Sequence, residues 1–440
     1  MIRTIDLRGS DRLSAADVAG ALPRAEFDVD AAQAQVRPLL EDVARRGAAA
    51  LAEQAVRFDG VAPPSPRVPR ERLEAALAGL DRNVRLAMEV AIDRTRRVHA
   101  DQVPPEGAVE VAPGAFVSQR WVPVRRVGLY APGGLAVYPS SVIMNVVPAQ
   151  AAGVKQLALA SPPQEAWGGY PHPVILAAAA LLGVDEVYAA GGVSAIGLFA
   201  FGAPGLAEPV DVITGPGNVY VAAAKRLVAG RVGIDSEAGP TEIAIVADQT
   251  AEPELVAADL VSQAEHDPLA ASVLITDAPA LAEAVAVAVA RRARATRHSA
   301  RVETALSGQQ SAIALVRDLD QAIAVANLYA AEHLELHVAG AAAAAERITA
   351  AGAIFVGPHS PVPLGDYLAG SNHVLPTGAT ARFASGLGVM AFLKSVQQIE
   401  YSPAALAQVA PLIEAFARAE DLPAHAESVA ARAGGPAGED

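Results

Sequence analysis

In residues 31–45 and 69–99, apolar side chains recur three and four positions apart among charged ones, the spacing that lines one face of a helix. An acidic stretch rich in proline and glycine, 101–114, interrupts this pattern. The texture then changes. Short, almost wholly apolar runs at 126–131, 155–160, 185–189 and 210–214 predict strands, and 141–152, 173–182, 193–201 and 217–229 predict helices between and after them. The alternation resumes with strands at 242–247, 272–276, 312–316 and 352–356 and helices at 253–266, 278–294, 319–329 and 341–351. Strands without a polar face, each followed by a helix, predict parallel sheets covered on both sides. The fold class is therefore α/β, with two units joined near Gly239-Pro240, a helical first part and a mostly helical segment from about Leu387. Residues 433–440 are of low complexity and are expected to fray.

A chain of 440 residues, 52% of them hydrophobic, can bury at least one sizeable core, and with 4% aromatics that core is built from Ala, Val, Leu and Ile. The absence of cysteine removes disulfides, iron–sulfur clusters, Cys-ligated zinc and thiol nucleophiles. The net charge of 34 − 48 = −14 argues against nucleic acid or an anionic membrane surface as partner. The longest apolar run, 174–183, is half of the ~20 residues that a membrane span needs. The first residues, MIRTIDLRGSDR, lack the apolar stretch of a secretory signal, so a cytoplasmic location is expected.

Gly386-Leu-Gly388-Val-Met-Ala391 has the spacing of a dinucleotide fingerprint but follows no predicted strand, and it is set aside. Three glycine-rich turns do follow predicted strands: YAPGG at 130–134, AGGVSAIG at 190–197 and GPGN at 215–218. Any one of them suits an ordinary βα turn. Three in one unit point to a nucleotide or other anion at the strand carboxyl ends, where helix N-termini face a ligand.

Of nine histidines, His99, His172 and His298 read as structural. Gln263 and His266, three apart at the end of a predicted helix, share a face and could reach one metal ion; alone, the pair also reads as a helix ending in histidine. Asp366 and His373 fall in what reads as an irregular loop, PLGDYLAGSNHVLP. Glu332-His333 sets a carboxylate beside an imidazole, either two proton-transfer groups of different pKa or two exposed polar residues opening a strand. Glu420 and His425 lie five apart in the C-terminal segment.

Taken in order, VGLYAPGG, TGPGN, GPTEIAIVAD, DLVSQAEHDP, NLYAAEHLEL, GDYLAGSNHVLPT and EDLPAHAESV resemble the histidinol dehydrogenases, from about Ile5 to Ala431. The resemblance implies an incomplete Rossmann-like fold with two parallel-sheet domains, in a homodimer. It implies an N-terminal arm at 1–25, a catalytic domain made of 26–126 and 241–388, an NAD-binding domain at 127–240, and a segment at 389–440 that reaches the partner's site. It implies one zinc ion per subunit on Gln263, His266, Asp366 and His425. Glu332 and His333 would be the catalytic proton acceptors. Thr241, His333, His373 and Glu420 would touch substrate, besides the zinc ligands, and Tyr130, Ser194 and Asn218 would touch NAD. Thr241 stands where the family has a serine and keeps the hydroxyl. Ser194 stands where glutamine is usual and loses an amide and its reach, so a glutamine restored there is expected to tighten NAD binding.

The implied reaction is oxidation of L-histidinol through L-histidinaldehyde to L-histidine with two NAD+. Zinc, which has no redox chemistry, would hold the substrate's nitrogens. His333 would take a proton in both oxidations, and Glu332 would help activate the water that hydrates the aldehyde. With no cysteine to form a thiohemiacetal, the second oxidation must pass through the hydrate. Three other readings compete. An alcohol dehydrogenase of the same superfamily with another substrate is opposed by Glu420 and by the SQAEH and AEHLE segments. A zinc hydrolase is opposed by the glycine-rich turns, and a two-lobed solute-binding protein by the lack of an export signal.

Overall fold

The computed structural model describes residues 2–9, 12–25, 28–133 and 137–433; Gly134 of the first glycine-rich turn and the tail from 434 lie outside them. The chain forms two compact units, Met1–Gln102 with Arg125–Phe392, and Val103–Val124 with Leu393–Asp440.

The larger unit holds two parallel sheets. Across its width, the five-stranded sheet runs Glu186–Ala189, Gln156–Ser161, Arg126–Tyr130, Val212–Thr214 and Gly233–Ile234. In chain order these are third, second, first, fourth and fifth, so growth reverses direction between Arg126–Tyr130 and Val212–Thr214. Helices Val29–Arg46 and Ala48–Asp59 bury Val36, Leu40, Val43 and Leu51 in one core with Tyr130, Ala158, Ile196 and Ile213. Residues 29–59, which the resemblance assigns to the catalytic domain, thus pack on this sheet, because their apolar stripe meets its helices. The approach is close at Gly197, where a Cβ would stand 3.1 Å from Val43.

The six-stranded sheet runs Arg3–Asp6, Ala312–Leu315, Ala271–Thr276, Glu242–Ala247, His333–His337 and Ala353–Val356. Its last five strands in the chain repeat the order third, second, first, fourth, fifth. Arg3–Asp6, from the expected N-terminal arm, adds a sixth strand at the edge. Helices Pro253–Ala264 and Pro279–Ala295 cover one face through Val256, Leu260 and Val285 against Ile243, Ile245 and Leu274. Leu319–Tyr329 covers the other through Ile323 and Val325 against Val246, Ile275 and Leu334.

The smaller unit corrects the reading of the chain's end. The stretch read as mostly helical opens with the strand Leu393–Tyr401, which pairs antiparallel with Ala115–Pro123. That strand pairs in turn with Gly107–Ala112, in the stretch read as a break, through a turn with Gly114 at φ +76. Gly107–Ala112 and Leu393–Tyr401 are exposed at most positions, so they lack the apolar run of a strand buried on both faces. Helices Pro403–Ala419 and Pro423–Ala433 complete the unit. Among the described residues, no helix is long and apolar enough to cross a membrane.

Candidate active site

Strands Glu242–Ala247 and His333–His337 are neighbours with His333 opposite Ile243. Thr241, Glu242, Glu332 and His333 therefore meet at the amino edge of the six-stranded sheet. Thr241 Oγ1 donates to Glu332 Oε2 at 2.5 Å, and Glu242 N donates to the same oxygen at 3.0 Å. Gln263 Nε2 donates to Thr241 Oγ1 at 2.7 Å. A carbonyl can only accept, so the 3.2 Å contact between His333 Nδ1 and Glu242 O places a hydrogen on Nδ1, and in the neutral ring the lone pair is then on Nε2. Glu332 and His333 are 7% and 5% exposed and are not a solvated pair. Burial pushes the Glu332 carboxyl above its ordinary range, against the opposing pull of His333 and of its two hydrogen bonds.

Helix Pro253–Ala264 runs toward this edge and ends beside it, with His266 two residues further on. With Nε2 bound to Thr241, Gln263 Oε1 is buried and has no hydrogen-bond partner among the described residues. Such an orphaned acceptor fits an oxygen that serves a ligand. Asp366 lies in the short helix Val362–Tyr367 rather than in an irregular loop; Pro361 and Pro363 suit a helix start, where no intrahelical N–H is needed. His373 Nδ1 donates to Asp366 O at 3.1 Å, and its Nε2 lies 3.3 Å from Ser141 Oγ. Desolvation holds His373 below the ordinary imidazole value, and the charges of Asp366, His333 and His266 all act on it. These residues share one region. An amide oxygen, an imidazole nitrogen and a carboxylate form a donor set that suits zinc or manganese. Glu420 and His425 belong to the smaller unit, where both are exposed, and neither side chain has a hydrogen-bond or ion-pair partner among the described residues.

The carboxyl edge of the five-stranded sheet carries the glycine-rich turns. The Tyr130 hydroxyl accepts from Gly192 N at 3.0 Å, and burial pushes the phenol up to about 12. Asn218 caps helix Val219–Val228, its Oδ1 accepting from the N–H groups of Tyr220 and Val221, which leaves Nδ2 to donate elsewhere. Gly215 has φ +124, and a Cβ there would fall 2.0 Å from Tyr130 O, so no other residue fits the turn. Buried Lys225 and Asp235 pair beneath it; Lys225 Nζ donates to Gly215 O at 3.1 Å, and Gly215 N donates to Asp235 Oδ2 at 2.8 Å. The sequence reading missed this clamp, whose signal is a lone lysine in the apolar run VYVAAAK.

Ser194 is buried, with its hydroxyl donating to Gln54 Oε1 at 2.8 Å, while Gln54 Nε2 donates to Leu39 O. That bond uses the hydroxyl's hydrogen and leaves its oxygen able only to accept. Asp59, also unforeseen, sits against Gly191, where a Cβ would come 2.9 Å from its Oδ1, and burial pushes its carboxyl up to about 6. The two edges meet through helix Pro139–Ala151, which begins after Arg126–Tyr130. Its Ser141 approaches His373, and its Met144 carbonyl accepts from Asn372 Nδ2 at 2.7 Å.

Asp259, Glu335 and His337 form a group that the sequence reading did not find. Their potential ligand atoms lie within 4.8 Å of one another. The signal was HLELH at 333–337, where polar residues occupy alternate positions of an otherwise apolar strand.

The chain matches a family model described as histidinol dehydrogenase over residues 22–433. It is 60% identical over 432 residues to a histidinol dehydrogenase of Thermobifida fusca, covering 98% of each chain. It is 58% identical over 432 residues to one of Mycolicibacterium smegmatis, covering 97% of each. The crystal structure of histidinol dehydrogenase from Elizabethkingia anophelis is similar, with a TM-score of 0.92 at 33% identity over 98% of both chains.

Proposed function

From the premise that the chain belongs to the histidinol dehydrogenase family and is an oxidoreductase acting on histidinol in histidine biosynthesis, we propose that it performs the whole four-electron oxidation of L-histidinol, through L-histidinaldehyde, to L-histidine in the cytoplasm. The observation that carries this reading is the hydrogen-bonded chain Gln263–Thr241–Glu332 beside a His333 whose Nδ1 donates to Glu242 O. His333 Nε2 takes the hydroxyl proton of histidinol in the first oxidation and that of the aldehyde hydrate in the second. Glu332 takes a proton from the water that adds to the aldehyde, and a carboxyl raised toward the working pH suits that task. His373 and Thr241 orient the substrate. Tyr130 and Asn218 face the dinucleotide, and Ser194 supports the turn from below through Gln54. The dinucleotide held there would supply a hydride acceptor for each step, so that one histidinol, as its ammonium form, one water and two NAD+ would give zwitterionic histidine, two NADH and three protons. Gln263, His266, Asp366 and His425 of the partner subunit would hold the zinc, which would supply a Lewis acid for the substrate's nitrogens and no redox chemistry.

The homodimer belongs to the same proposal. It is supported by the unpartnered, exposed Glu420 and His425, and by Val109, Ile399, Leu412 and Phe416, 63–73% exposed in the smaller unit.

An NADH absorbance assay tests the reaction: two NADH per histidinol are expected, lost on chelation and restored by zinc. One NADH per histidinol, or full activity without a bound divalent metal, would overturn it. Mixed His425→Ala and His266→Ala chains test the dimer. Each is inactive alone, and subunit exchange should restore about a quarter of the wild-type activity, since half of the chains pair into heterodimers with one intact site of two. Proven exchange without activity would mean that His425 serves its own subunit or none.

A further inference from the structure

Three ionisable side chains that the mechanism does not use converge inside the six-stranded half. In the paired register, His333, Glu335 and His337 stand beside Ile243, Ile245 and Ala247, on the face that helix Pro253–Ala264 covers. On that helix, Asp259 precedes Gln263 by one turn and so lies on the same side. The group thus stands one helical turn and one strand repeat from the proposed catalytic residues, toward the carboxyl edge. Glu335 is 0% exposed, His337 is 4% exposed, and the Asp259 side chain retains 12%. His337 Nε2 lies 3.3 Å from Glu335 Oε2 and 3.9 Å from Asp259 Oδ2. Ligand atoms bound tetrahedrally to an ion at ~2.1 Å stand about 3.4 Å from one another. The imidazole nitrogen and the Glu335 oxygen already have that spacing, and the Asp259 oxygen stands about half an ångström further from the ring.

Two further observations ask for a cation. Glu335 Oε1 accepts from Val362 N at 3.0 Å, while its buried Oε2 faces the group with no hydrogen-bond partner among the described residues. One oxygen is anchored and the other is left for a ligand, the usual division at a metal-bound carboxylate. The charges are also unbalanced. Arg292 acts weakly on Asp259, and no Lys or Arg bridges to Glu335 or His337 among the described residues. Burial and the neighbouring Glu335 push the Asp259 carboxyl up to about 8, as two carboxyls crowded without a counter-ion do. Asp259, the member nearest solvent, supplies the way in.

We propose that Asp259, Glu335 and His337 bind a second divalent ion, zinc or manganese, with a water in the open position. It braces the helix that presents Gln263 against the strand that begins with His333. The inference does not depend on the proposed reaction. To test it, full-length protein stripped with chelator is dialysed against zinc in slight excess over two sites. Bound zinc is then counted by elemental analysis, and crystals of the same sample are measured at the zinc absorption edge. The wild-type crystals should show an anomalous peak within bonding distance of all three side chains, and the count should be two per chain. His337→Gln and His266→Ala should each lower the count by one. No peak at this group, or a His337→Gln count equal to that of the wild type, would overturn the proposal. A count that falls with His337→Gln but not with His266→Ala would support the second site and remove the zinc of the proposed reaction instead. Should His337→Gln fail to fold, the wild-type anomalous map decides alone.

Discussion

The two parallel sheets share one strand order, yet their reactive residues gather at opposite edges. In the five-stranded sheet, growth reverses between Arg126–Tyr130 and Val212–Thr214, and the glycine-rich turns follow the carboxyl ends, where open parallel sheets hold ligands. In the six-stranded sheet, the reversal falls between Glu242–Ala247 and His333–His337, but Thr241, Glu332 and His333 lie at the amino ends. Ser141 with His373, and Met144 with Asn372, set the carboxyl edge of one sheet against the amino edge of the other. A strand order locates a ligand within one sheet; a site shared by two sheets forms where their edges face. The edges also differ in charge. Helices Gly192–Phe201 and Val219–Val228 begin at the first, and their positive ends suit a diphosphate. Helix Pro253–Ala264 finishes at the second, and its negative end suits a cation beside Gln263 and His266.

This division can be broken from either side. The largest effect is expected at the amino edge, where His333→Asn removes the proposed base of both steps and should slow each by at least about 100-fold. Glu332→Gln should slow aldehyde oxidation more than alcohol oxidation. Rates measured separately on histidinol and histidinaldehyde check both, and a Glu332→Gln enzyme slowed with histidinol alone would refute the division of labour. At the carboxyl edge, Lys225→Met strands the buried Asp235 carboxylate and should cost about 3–5 kcal/mol. Denaturant titration reads that loss, and an unchanged midpoint would show that the clamp does not hold the Gly215 turn.

A smaller change sharpens the comparison. Ser194→Gln, expected from the resemblance to tighten NAD binding, instead forces a larger side chain against Gln54 and should cost about 1–3 kcal/mol. Calorimetric titration with NAD, beside a thermal melt, decides; tighter binding at unchanged stability would restore the first expectation. Asp59→Asn should have the smallest effect. With its carboxyl at about 6 rather than the ordinary 3.8, the charged form is disfavoured by folding, so the wild type loses stability as pH rises through that window. The variant should gain about 1 kcal/mol near pH ~8, after allowance for solvent screening, and nothing near pH ~3.5. Equal melting differences at both pH values would exclude Asp59 as the cause.

Apolar runs located the strands around Leu129, Ile245 and Leu274 within a residue or two, because a strand buried on both faces has no polar position to obscure it. Leu393–Tyr401, exposed at most positions, left no such trace. Local spacing also exposed Gln263 with His266 and Glu332 with His333 as pairs that could do chemistry. It could not join them, since Thr241 lies 91 residues from the Glu332 oxygen that it binds. Nor could it reveal that Gln54 claims the Ser194 hydroxyl, or that Asp259 meets Glu335 and His337. Periodicity reports which neighbours along the chain share a face. Strand register and helix packing, set by contacts between residues far apart in the chain, decided which edge faced which and which polar atoms were left without a partner.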